Sequence, residues 1–175
     1  MQIEEAIASV IRDIPDFPKP GILFKDITPL FYDQDLCSRI ADEFIRRMEE
    51  VPDAIVGIES RGFLFGFLVA NKLGIPFVLV RKAGKLPYKT LRVEYDLEYG
   101  SATLEMHTDA LKQGWKVIVH DDLLATGGTA EAAANLVKKS GATVNGFNFV
   151  ISLDSLNGRS KLIKHSTHIT CLTHF

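Results

Sequence analysis

The chain contains 175 residues, of which 46% are hydrophobic and 24% are charged. Twenty Lys and Arg against 22 Asp and Glu give a net charge of −2, which argues against a non-specific nucleic-acid binder because such proteins usually carry a basic excess. No apolar run approaches the roughly 20 residues that span a bilayer, and two cysteines, Cys37 and Cys171, do not make a disulfide framework. We therefore expect a soluble, cytoplasmic protein with no membrane and no nucleic-acid partner.

The first thirty residues predict one helix and one irregular segment. Apolar residues from Ile3 to Ile11 fall on one face of a helix over residues 2–13. Residues 14–29 follow, and their four prolines and one glycine argue against any regular element there. The segment is nevertheless rich in Phe, Ile and Leu, and long apolar loops are uncommon. We expect it either to pack as a cap or to line a site.

Helices and strands alternate along the next part of the chain. A second helix is marked by apolar residues at every fourth position: Leu36, Ile40, Phe44 and Met48. Short apolar runs predict strands at residues 54–58, 77–81, 117–120 and 143–153, with helices at residues 63–73 and 130–139. Such alternation is typical of a parallel sheet covered on both faces. The sequence therefore predicts an α/β fold with a central, mostly parallel sheet flanked by helices.

Residues 82–100 break this pattern. They begin as a basic, turn-rich loop and continue with apolar and charged residues in alternation from Leu91 to Tyr99. A period of two predicts a half-exposed strand of a hairpin. We expect the hairpin to stand off the parallel sheet, where it could act as a mobile lid. The tail, residues 165–175, is rich in β-branched residues and predicts a late strand or a cap.

The clearest functional signal lies at residues 117–129, VIVHDDLLATGGT. An apolar strand leads into Asp121 and Asp122 and then into a loop of small residues that opens a helix. Such a loop offers a phosphate backbone N–H groups, hydroxyls and a helix N-terminus, and the carboxylates can hold a sugar diol or a magnesium-bound water. The loop residues are Ala125, Thr126, Gly127, Gly128 and Thr129. The alternative is an ordinary strand, turn and helix with capping acids, and two adjacent acids facing an anion loop argue against it.

This segment resembles the 5-phosphoribosyl-1-diphosphate (PRPP) motif of the type I phosphoribosyltransferase family. Further segments resemble the adenine-specific branch of that family, in the same order: IPDFPKPGILFKDITPL, GIESRGFLFG, RKAGKLP and LEYG. The Walker A pattern GxxxxGK[ST] and the dinucleotide pattern GxGxxG are absent from the sequence. The resemblance covers nearly the whole chain and implies one domain, residues 1–175, with a hood (about residues 14–32 and the C-terminal segment) and a flexible loop (about residues 82–100).

The resemblance implies a binding role for each polar motif. Residues 125–129 would cradle the 5′-phosphate of PRPP, and Asp121 and Asp122 would engage the ribose hydroxyls. The diphosphate would contact Ser60, Arg61, Arg81, Lys82 and Lys85. Without the family, Arg61 is also compatible with a surface arginine on a turn, and the cations of residues 81–85 with a solvated charge run. The implied cofactor is Mg²⁺, held mainly by the substrate rather than by protein ligands.

The same resemblance implies where the base and its proton are handled. Phe24 would stack on adenine, while Leu23, Lys25 and Leu153 would contact the ring; a packed apolar loop is the alternative. Glu98, within LEYG, is the implied catalytic residue and would act as acid or base on the purine proton. Periodicity alone favours an exposed surface charge at Glu98.

The reaction implied by the resemblance is adenine + PRPP giving AMP + diphosphate, a purine salvage step, in a homodimer. One alternative is a phosphoribosyltransferase for guanine, hypoxanthine or xanthine, and another is a PRPP-sensing regulator without catalysis. Two positions depart from the family pattern: His120 stands where an aliphatic residue is usual, and Ser152 stands where Glu is frequent.

Overall fold

The computed structural model describes residues 2–97 and 100–175. In chain order its elements are α1 (Ile3–Val10), β1 (Arg12–Pro15), β2 (Leu23–Asp26), α2 (Gln34–Arg46), β3 (Ala54–Ile58), α3 (Gly62–Leu73), β4 (Phe77–Lys82), β5 (Thr90–Asp96), β6 (Ser101–His107), β7 (Lys116–Leu124), α4 (Gly128–Lys139), β8 (Thr143–Ser152), α5 (Arg159–Leu162) and β9 (Ile169–His174). Short 3₁₀ turns cover Thr28–Tyr32 and Asp154–Leu156.

A seven-stranded sheet in the order β5-β6-β4-β3-β7-β8-β9 forms the centre of the fold. In this order the neighbouring pairs β4-β3, β3-β7, β7-β8 and β8-β9 are parallel. Strand β6 pairs antiparallel with both β4 and β5. The carboxyl ends of β4, β3 and β7 therefore meet at one edge of the sheet, which is where open α/β sheets bind their ligands.

Both faces of the sheet are covered by apolar side chains. On one face α1, α2 and α3 contribute buried residues such as Ile7, Ile40 and Phe65. On the other face the alanine-rich helix α4 packs against the sheet, with Ala133 and Phe147 fully buried. Small alanines let the helix approach the sheet closely, and the buried area on both faces is the main source of stability. The predicted α/β architecture is confirmed.

The proline-rich segment contains regular structure, so the expectation of none was wrong. Helix α1 ends at Val10, earlier than predicted, and β1 pairs antiparallel with β2 in a separate two-stranded sheet. The prolines do not interrupt this pairing because Pro15 is the last residue of β1, while Pro18 and Pro20 lie in the connection between the strands.

The hairpin of β5 and β6 was expected to stand off the sheet, but it is part of the central sheet. Its strand β6 joins β4 at Arg81↔Glu105 and Lys82↔Leu104, so the hairpin extends the central sheet. Strand β7 is also longer than predicted, because it continues through Asp121 and Asp122 to Leu124. No helix within the described residues is both long and apolar enough to cross a membrane.

Candidate active site

A cleft of about 640 Å³ opens at the carboxyl ends of β3, β4 and β7. The phosphate loop, residues 125–129, forms one side, and Ser60 and Arg61 follow β3 on another. Lys82 and Lys85 approach from the end of β4. The structure thus brings together motifs that lie more than sixty residues apart in the sequence.

The phosphate loop leads directly into helix α4. Gly127 precedes the helix with φ +81°, a left-handed conformation that favours glycine. Among the described residues no side chain caps the first turn, and Gly127, Gly128 and Thr129 line the cleft at the positive end of the helix dipole. This arrangement suits a phosphate.

A segment from the C-terminal part of the chain supports the phosphate loop from behind. A Cβ atom on Gly127 would lie 2.5 Å from the carbonyl oxygen of Gly158, so the two backbones pack against each other without side chains between them. Gly128 has no comparable restriction, because the nearest atom to its Cβ would be Tyr95 Cδ2 at 3.8 Å. The close contact with Gly158 therefore favours glycine at position 127, whereas no comparable contact favours it at position 128.

Asp121 and Asp122 stand side by side where β7 ends. The backbone N–H of Asp122 donates to Asp121 Oδ1 at 2.8 Å, and Arg61 Nε donates to Asp122 Oδ2 at 2.5 Å. Burial, together with the adjacent Asp122 carboxylate, raises the pKa of Asp121 well above its usual range. Asp121 consequently holds a proton more readily than an isolated carboxyl does, and Arg61 pairs with the adjacent Asp122 carboxylate.

Arg61 also connects the acids to the proline-rich segment. Its guanidinium carbon lies 5.5 Å from the centre of the Phe24 ring, within the range of a cation–π contact. Phe24 itself is half-buried and makes an edge contact with Phe17 at 5.1 Å between ring centres. Phe24 therefore lies beside the cleft, next to a residue that lines it.

The basic residues after β4 divide into two groups. Lys82 and Lys85 line the cleft, whereas Arg81 is not among its described lining residues. Arg81 Nη2 instead donates to Glu59 Oε1 at 2.8 Å, and the backbone N–H of Lys82 donates to Glu59 Oε2 at 2.9 Å. The Arg81 hydrogen bond is the main cause that holds the pKa of Glu59 below its usual value. Glu59 thus anchors the start of the basic loop.

The remaining base-binding candidates lie around the cleft rather than in its described lining. Lys25 Nζ is held by Asp13 Oδ1 at 2.6 Å and by the Phe175 ring at 4.1 Å. Leu23 is exposed on β2, and the backbone N–H of Leu153 donates to the carbonyl oxygen of Leu124 at the end of β7. The ammonium of Lys25 is therefore engaged by Asp13 and Phe175 rather than by a residue of the cleft.

Two further observations concern residues that the sequence singled out. Glu98 lies outside the described residues, so its role stays a prediction.

His120 is buried, and burial lowers its pKa to about 4. Both ring nitrogens lack a hydrogen-bond partner within the described residues. Its ring packs edge-on against Phe44, so His120 belongs to the core.

The sequence interpretation missed several residues that line the cleft. Tyr95, Leu97, Ala102 and Leu104 of the hairpin form a wall above the phosphate loop, and the Tyr95 hydroxyl lies 3.5 Å from Thr129 Oγ1. The alternation of β5 placed Tyr95 on one face but could not show which element that face meets. Glu59 could have been found, since it is an acid at a strand end within the ESRG motif.

Comparison with known proteins identifies the family of this chain. A family model described as the phosphoribosyl transferase domain matches residues 31–174. The adenine phosphoribosyltransferase of Cytophaga hutchinsonii is 50% identical over 174 residues, which cover 99% of this chain and 96% of that protein. The adenine phosphoribosyltransferase of Nitrosococcus oceani is 51% identical over 172 residues, covering 98% and 99% of the two chains.

The chain belongs to the adenine phosphoribosyltransferase family.

Solved structures of the adenine phosphoribosyltransferase family share the whole fold. The enzyme of Thermoanaerobacter pseudethanolicus has a TM-score of 0.93 and 47% identity, covering 98% of this chain and 99% of its own. The enzyme of Saccharomyces cerevisiae, solved with adenine and an imino-altritol bisphosphate, has a TM-score of 0.92 and 42% identity, covering 97% and 98% of the two chains. The family resemblance and the type I phosphoribosyltransferase fold expected from the sequence are confirmed.

Proposed function

We propose that the protein is an adenine phosphoribosyltransferase that converts adenine and PRPP into AMP and diphosphate, a purine salvage reaction. The observation that carries this proposal is the junction of β7 and α4. There two adjacent carboxylates and an uncapped helix N-terminus face one cleft that also receives Arg61, Lys82 and Lys85. Relatives about half identical over nearly the whole chain bear the same enzyme name.

The cleft offers a subsite for each part of PRPP. Residues 125–129 bind the 5′-phosphate through backbone N–H groups and through the hydroxyls of Thr126 and Thr129. Asp121 and Asp122 accept hydrogen bonds from the ribose hydroxyls at the end of β7. Ser60, Arg61, Lys82 and Lys85 surround the diphosphate and stabilise the negative charge that grows on it as it leaves. Arg81 joins this set when its side chain turns from Glu59 or reaches the cleft of a second protomer.

The acids of the site fit a magnesium ion that arrives with PRPP. Within the described residues no group of three or more His, Cys, Asp or Glu side chains is placed to hold a metal. The cleft does contain two neighbouring carboxylates, those of Asp121 and Asp122. Mg²⁺ is usually bound by one or two carboxylates together with substrate phosphates. The ion would be held mainly by the oxygens of PRPP, with Asp121 and Asp122 as carboxylates beside it, and it would neutralise diphosphate charge.

Adenine binds between the hood and the end of β7. Phe24 stacks on the ring, and the backbones of Leu23, Lys25 and Leu153 supply the polar contacts that read its edge. This role suits Lys25 because its ammonium is already held by Asp13 and Phe175, which leaves the backbone to do the recognition. The Saccharomyces cerevisiae relative was solved with adenine bound.

The chemical step exchanges one bond at the anomeric carbon for another. Diphosphate leaves the ribose, a ring nitrogen of adenine bonds to the same carbon, and the proton on that nitrogen is released. Glu98 accepts this proton as general base. The hairpin wall formed by Tyr95, Leu97 and Leu104 excludes water, which protects PRPP from hydrolysis.

The experiment that tests this function is a purine panel. The purified chain is incubated with PRPP, Mg²⁺ and one base at a time, and released diphosphate is measured. Adenine is expected to give rapid release, while guanine, hypoxanthine and xanthine give release near the level without base. Rapid release with hypoxanthine or guanine but not with adenine would contradict the proposal, and so would PRPP binding without any turnover.

The assembly that we propose is a homodimer formed by one domain per chain. Leu64 and Phe67 of α3 and Leu79 of β4 are large apolar side chains that remain exposed, at 51%, 58% and 39%. Phe77 of β4 contacts Phe67, with 5.9 Å between ring centres, and extends the patch. Light scattering is expected to give twice the 19.4 kDa chain mass, and Phe67→Glu should shift it to one chain. A monomeric wild type would contradict the homodimer.

We also propose a cytoplasmic location for the enzyme. Cys37 and Cys171 are both free thiols, which agrees with a reducing compartment. Cell fractionation with an antibody against the chain tests this location, and recovery in a secreted or membrane fraction would contradict it.

A further inference from the structure

Glu105 is a fully buried carboxylate to which the proposed reaction assigns no role. It lies in the middle of β6, next to Arg81 of β4 on one side and Arg92 of β5 on the other. Its exposed fraction is 0%. A buried carboxylate costs free energy unless its oxygens are well paired, so the partners of Glu105 indicate what it does.

The two oxygens of Glu105 hold different parts of the chain. Oε1 accepts hydrogen bonds from the backbone N–H groups of Lys85 at 3.0 Å and Leu86 at 2.9 Å. Oε2 faces Arg92 Nε at 3.2 Å and the Thr90 hydroxyl at 3.4 Å. One carboxylate therefore joins the turn after β4 to the first residues of β5.

The ionised form of Glu105 is the form that the site stabilises. Burial alone raises the pKa of Glu105, but hydrogen bonds from the backbone of Leu86, Gly84 and Lys85, with the charge of Arg92, outweigh it and leave the pKa below its usual value. The turn is thus held by a full negative charge, and charge-assisted hydrogen bonds are about twice as strong as neutral ones.

The turn held by Glu105 carries a cation that lines the active-site cleft. Lys85 lies on the cleft, while its own backbone N–H is bound to Glu105 and its carbonyl oxygen accepts from Arg81 Nη1 at 3.3 Å. Around it, residues 82–85 are exposed, so few apolar contacts fix the turn. The direction of the Lys85 side chain therefore depends on these polar contacts.

We propose that Glu105 is a positioning residue for diphosphate, which acts by fixing the backbone of residues 85 and 86 so that Lys85 projects into the cleft. This inference rests on the proposed function only in its choice of ligand, the diphosphate group. Glu105 touches neither substrate nor product. It acts on the reaction through Lys85. Glu59 holds the start of the same loop in a similar way, because it accepts a hydrogen bond from the backbone N–H of Lys82.

The test is a double-mutant cycle between Glu105 and Lys85 with two readouts. Steady-state kinetics give the KM values for PRPP and adenine, and calorimetric titration gives the affinity for magnesium diphosphate. Glu105→Ala is expected to raise the KM for PRPP and to weaken diphosphate binding by about tenfold, the size of one charge-assisted contact. The KM for adenine should change by less than about twofold, since the hood does not contact Glu105.

The decisive arm is Glu105→Ala in a Lys85→Ala background. There the further loss of diphosphate affinity should fall below about twofold, because the cation that Glu105 positions is already gone. A full tenfold loss in that background would overturn the proposal, as would equal effects on adenine and PRPP. Glu94→Gln on the same hairpin, whose carboxylate accepts only from the exposed Ser101 hydroxyl among the described contacts, is the control and should leave both values unchanged.

A second variant covers the case in which Glu105→Ala fails to fold. Glu105→Gln can keep its single oxygen toward the N–H groups of Lys85 and Leu86 by turning its N–H₂ group toward Arg92, so its loss should be smaller and of the same kind. If the wild type binds magnesium diphosphate but makes no AMP, the proposed function fails while the cycle on diphosphate affinity still decides the role of Glu105. An unchanged diphosphate affinity in folded Glu105→Gln and Glu105→Ala would overturn that role.

Discussion

Arg61 and Asp122 form a 2.5 Å ion pair across the cleft, between the end of β3 and the end of β7. The Asp122 side chain is only 7% exposed, whereas Arg61 is 43% exposed and reaches the Phe24 ring. One arginine thus contacts both a residue that we propose for ribose and a residue that we propose for the base. In the proposed complex Arg61 would link these two subsites to the diphosphate.

Replacing Arg61 should therefore weaken PRPP binding strongly. Arg61→Ala removes the proposed charge-assisted contact with diphosphate, and we expect PRPP affinity to fall by about 30-fold, since such a contact contributes about 2 kcal/mol. Calorimetric titration with PRPP measures the change. Arg46→Ala breaks an exposed arginine pair on α2 and should leave PRPP affinity unchanged. Equal affinities in all three proteins would place PRPP elsewhere.

The two glycines of the phosphate loop should respond differently to substitution. Gly128→Val adds atoms where, outside its chain neighbours and its own helix, the nearest described atom to the new Cβ is Tyr95 Cδ2 at 3.8 Å, so the melting temperature should hold while PRPP affinity falls. Gly127→Ala should instead lower both the melting temperature and the PRPP affinity, because its Cβ would meet the Gly158 carbonyl oxygen. The control Gly114→Ala has a similar φ of +83° with nothing within 4 Å, and should cost only about 1–2 kcal/mol of backbone strain. A folded Gly128→Val that binds PRPP like wild type would contradict the phosphate site.

Phe24→Ala should affect adenine more than PRPP. Loss of one stacking face costs about 1–3 kcal/mol, which corresponds to a rise of roughly 5- to 150-fold in the KM for adenine. Steady-state kinetics with each substrate varied in turn measure both values. Tyr32→Ala removes an aromatic ring that is 76% exposed and should change neither. A Phe24 variant with a raised KM for PRPP alone would show that the hood does not bind the base.

Glu98→Gln should slow the chemical step. A positioned acid or base contributes about 10²- to 10⁴-fold, so single-turnover AMP formation with saturating PRPP and adenine should fall by that factor. Glu94→Gln, an exposed glutamate on the same hairpin outside the LEYG motif, should react at nearly the wild-type rate. If both variants match the wild type, the hairpin is a lid only and the proton leaves through another group.

His120 should make the fold sensitive to mild acid. The folded protein keeps His120 neutral down to about pH 4, while the unfolded chain protonates it below about pH 6.5, so the unfolded state binds more protons in between. Stability from this group is therefore lost as the pH falls, by about 2 kcal/mol between pH 7 and pH 5. Urea unfolding at both pH values should show this loss in the wild type and a smaller one in His120→Val. Parallel losses in the two proteins would contradict the buried neutral histidine.

Local patterns were enough to predict the parts of this site that one segment builds. The apolar run before Asp121 and the small residues after Leu124 predicted a strand, an acidic pair and a loop that opens a helix, and the structure forms these three from consecutive residues. The order of apolar strands and helices likewise predicted the parallel sheet, because that signal depends on burial along each strand.

Long-range contacts are what the sequence could not supply. The pairing of Arg81 with Glu59 and of Lys25 with Asp13 joins residues on different elements, and nothing in the spacing of these charges distinguishes a partner from solvent. The two strands of the hood were missed for a related reason, since strand propensity is low around prolines and the pairing itself stabilises the strands. The position of Gly158 behind Gly127 is set by the fold as a whole.

The most direct measurement of the central claim is a competition experiment with the wild-type chain. Adenine, hypoxanthine, guanine and xanthine are mixed at equal concentration with limiting PRPP and Mg²⁺, and the nucleoside monophosphates formed are separated and counted against the diphosphate released. We expect AMP to be nearly the sole nucleotide and to match diphosphate one for one. A mixture of nucleotides, a product other than AMP, or diphosphate released without nucleotide would contradict it.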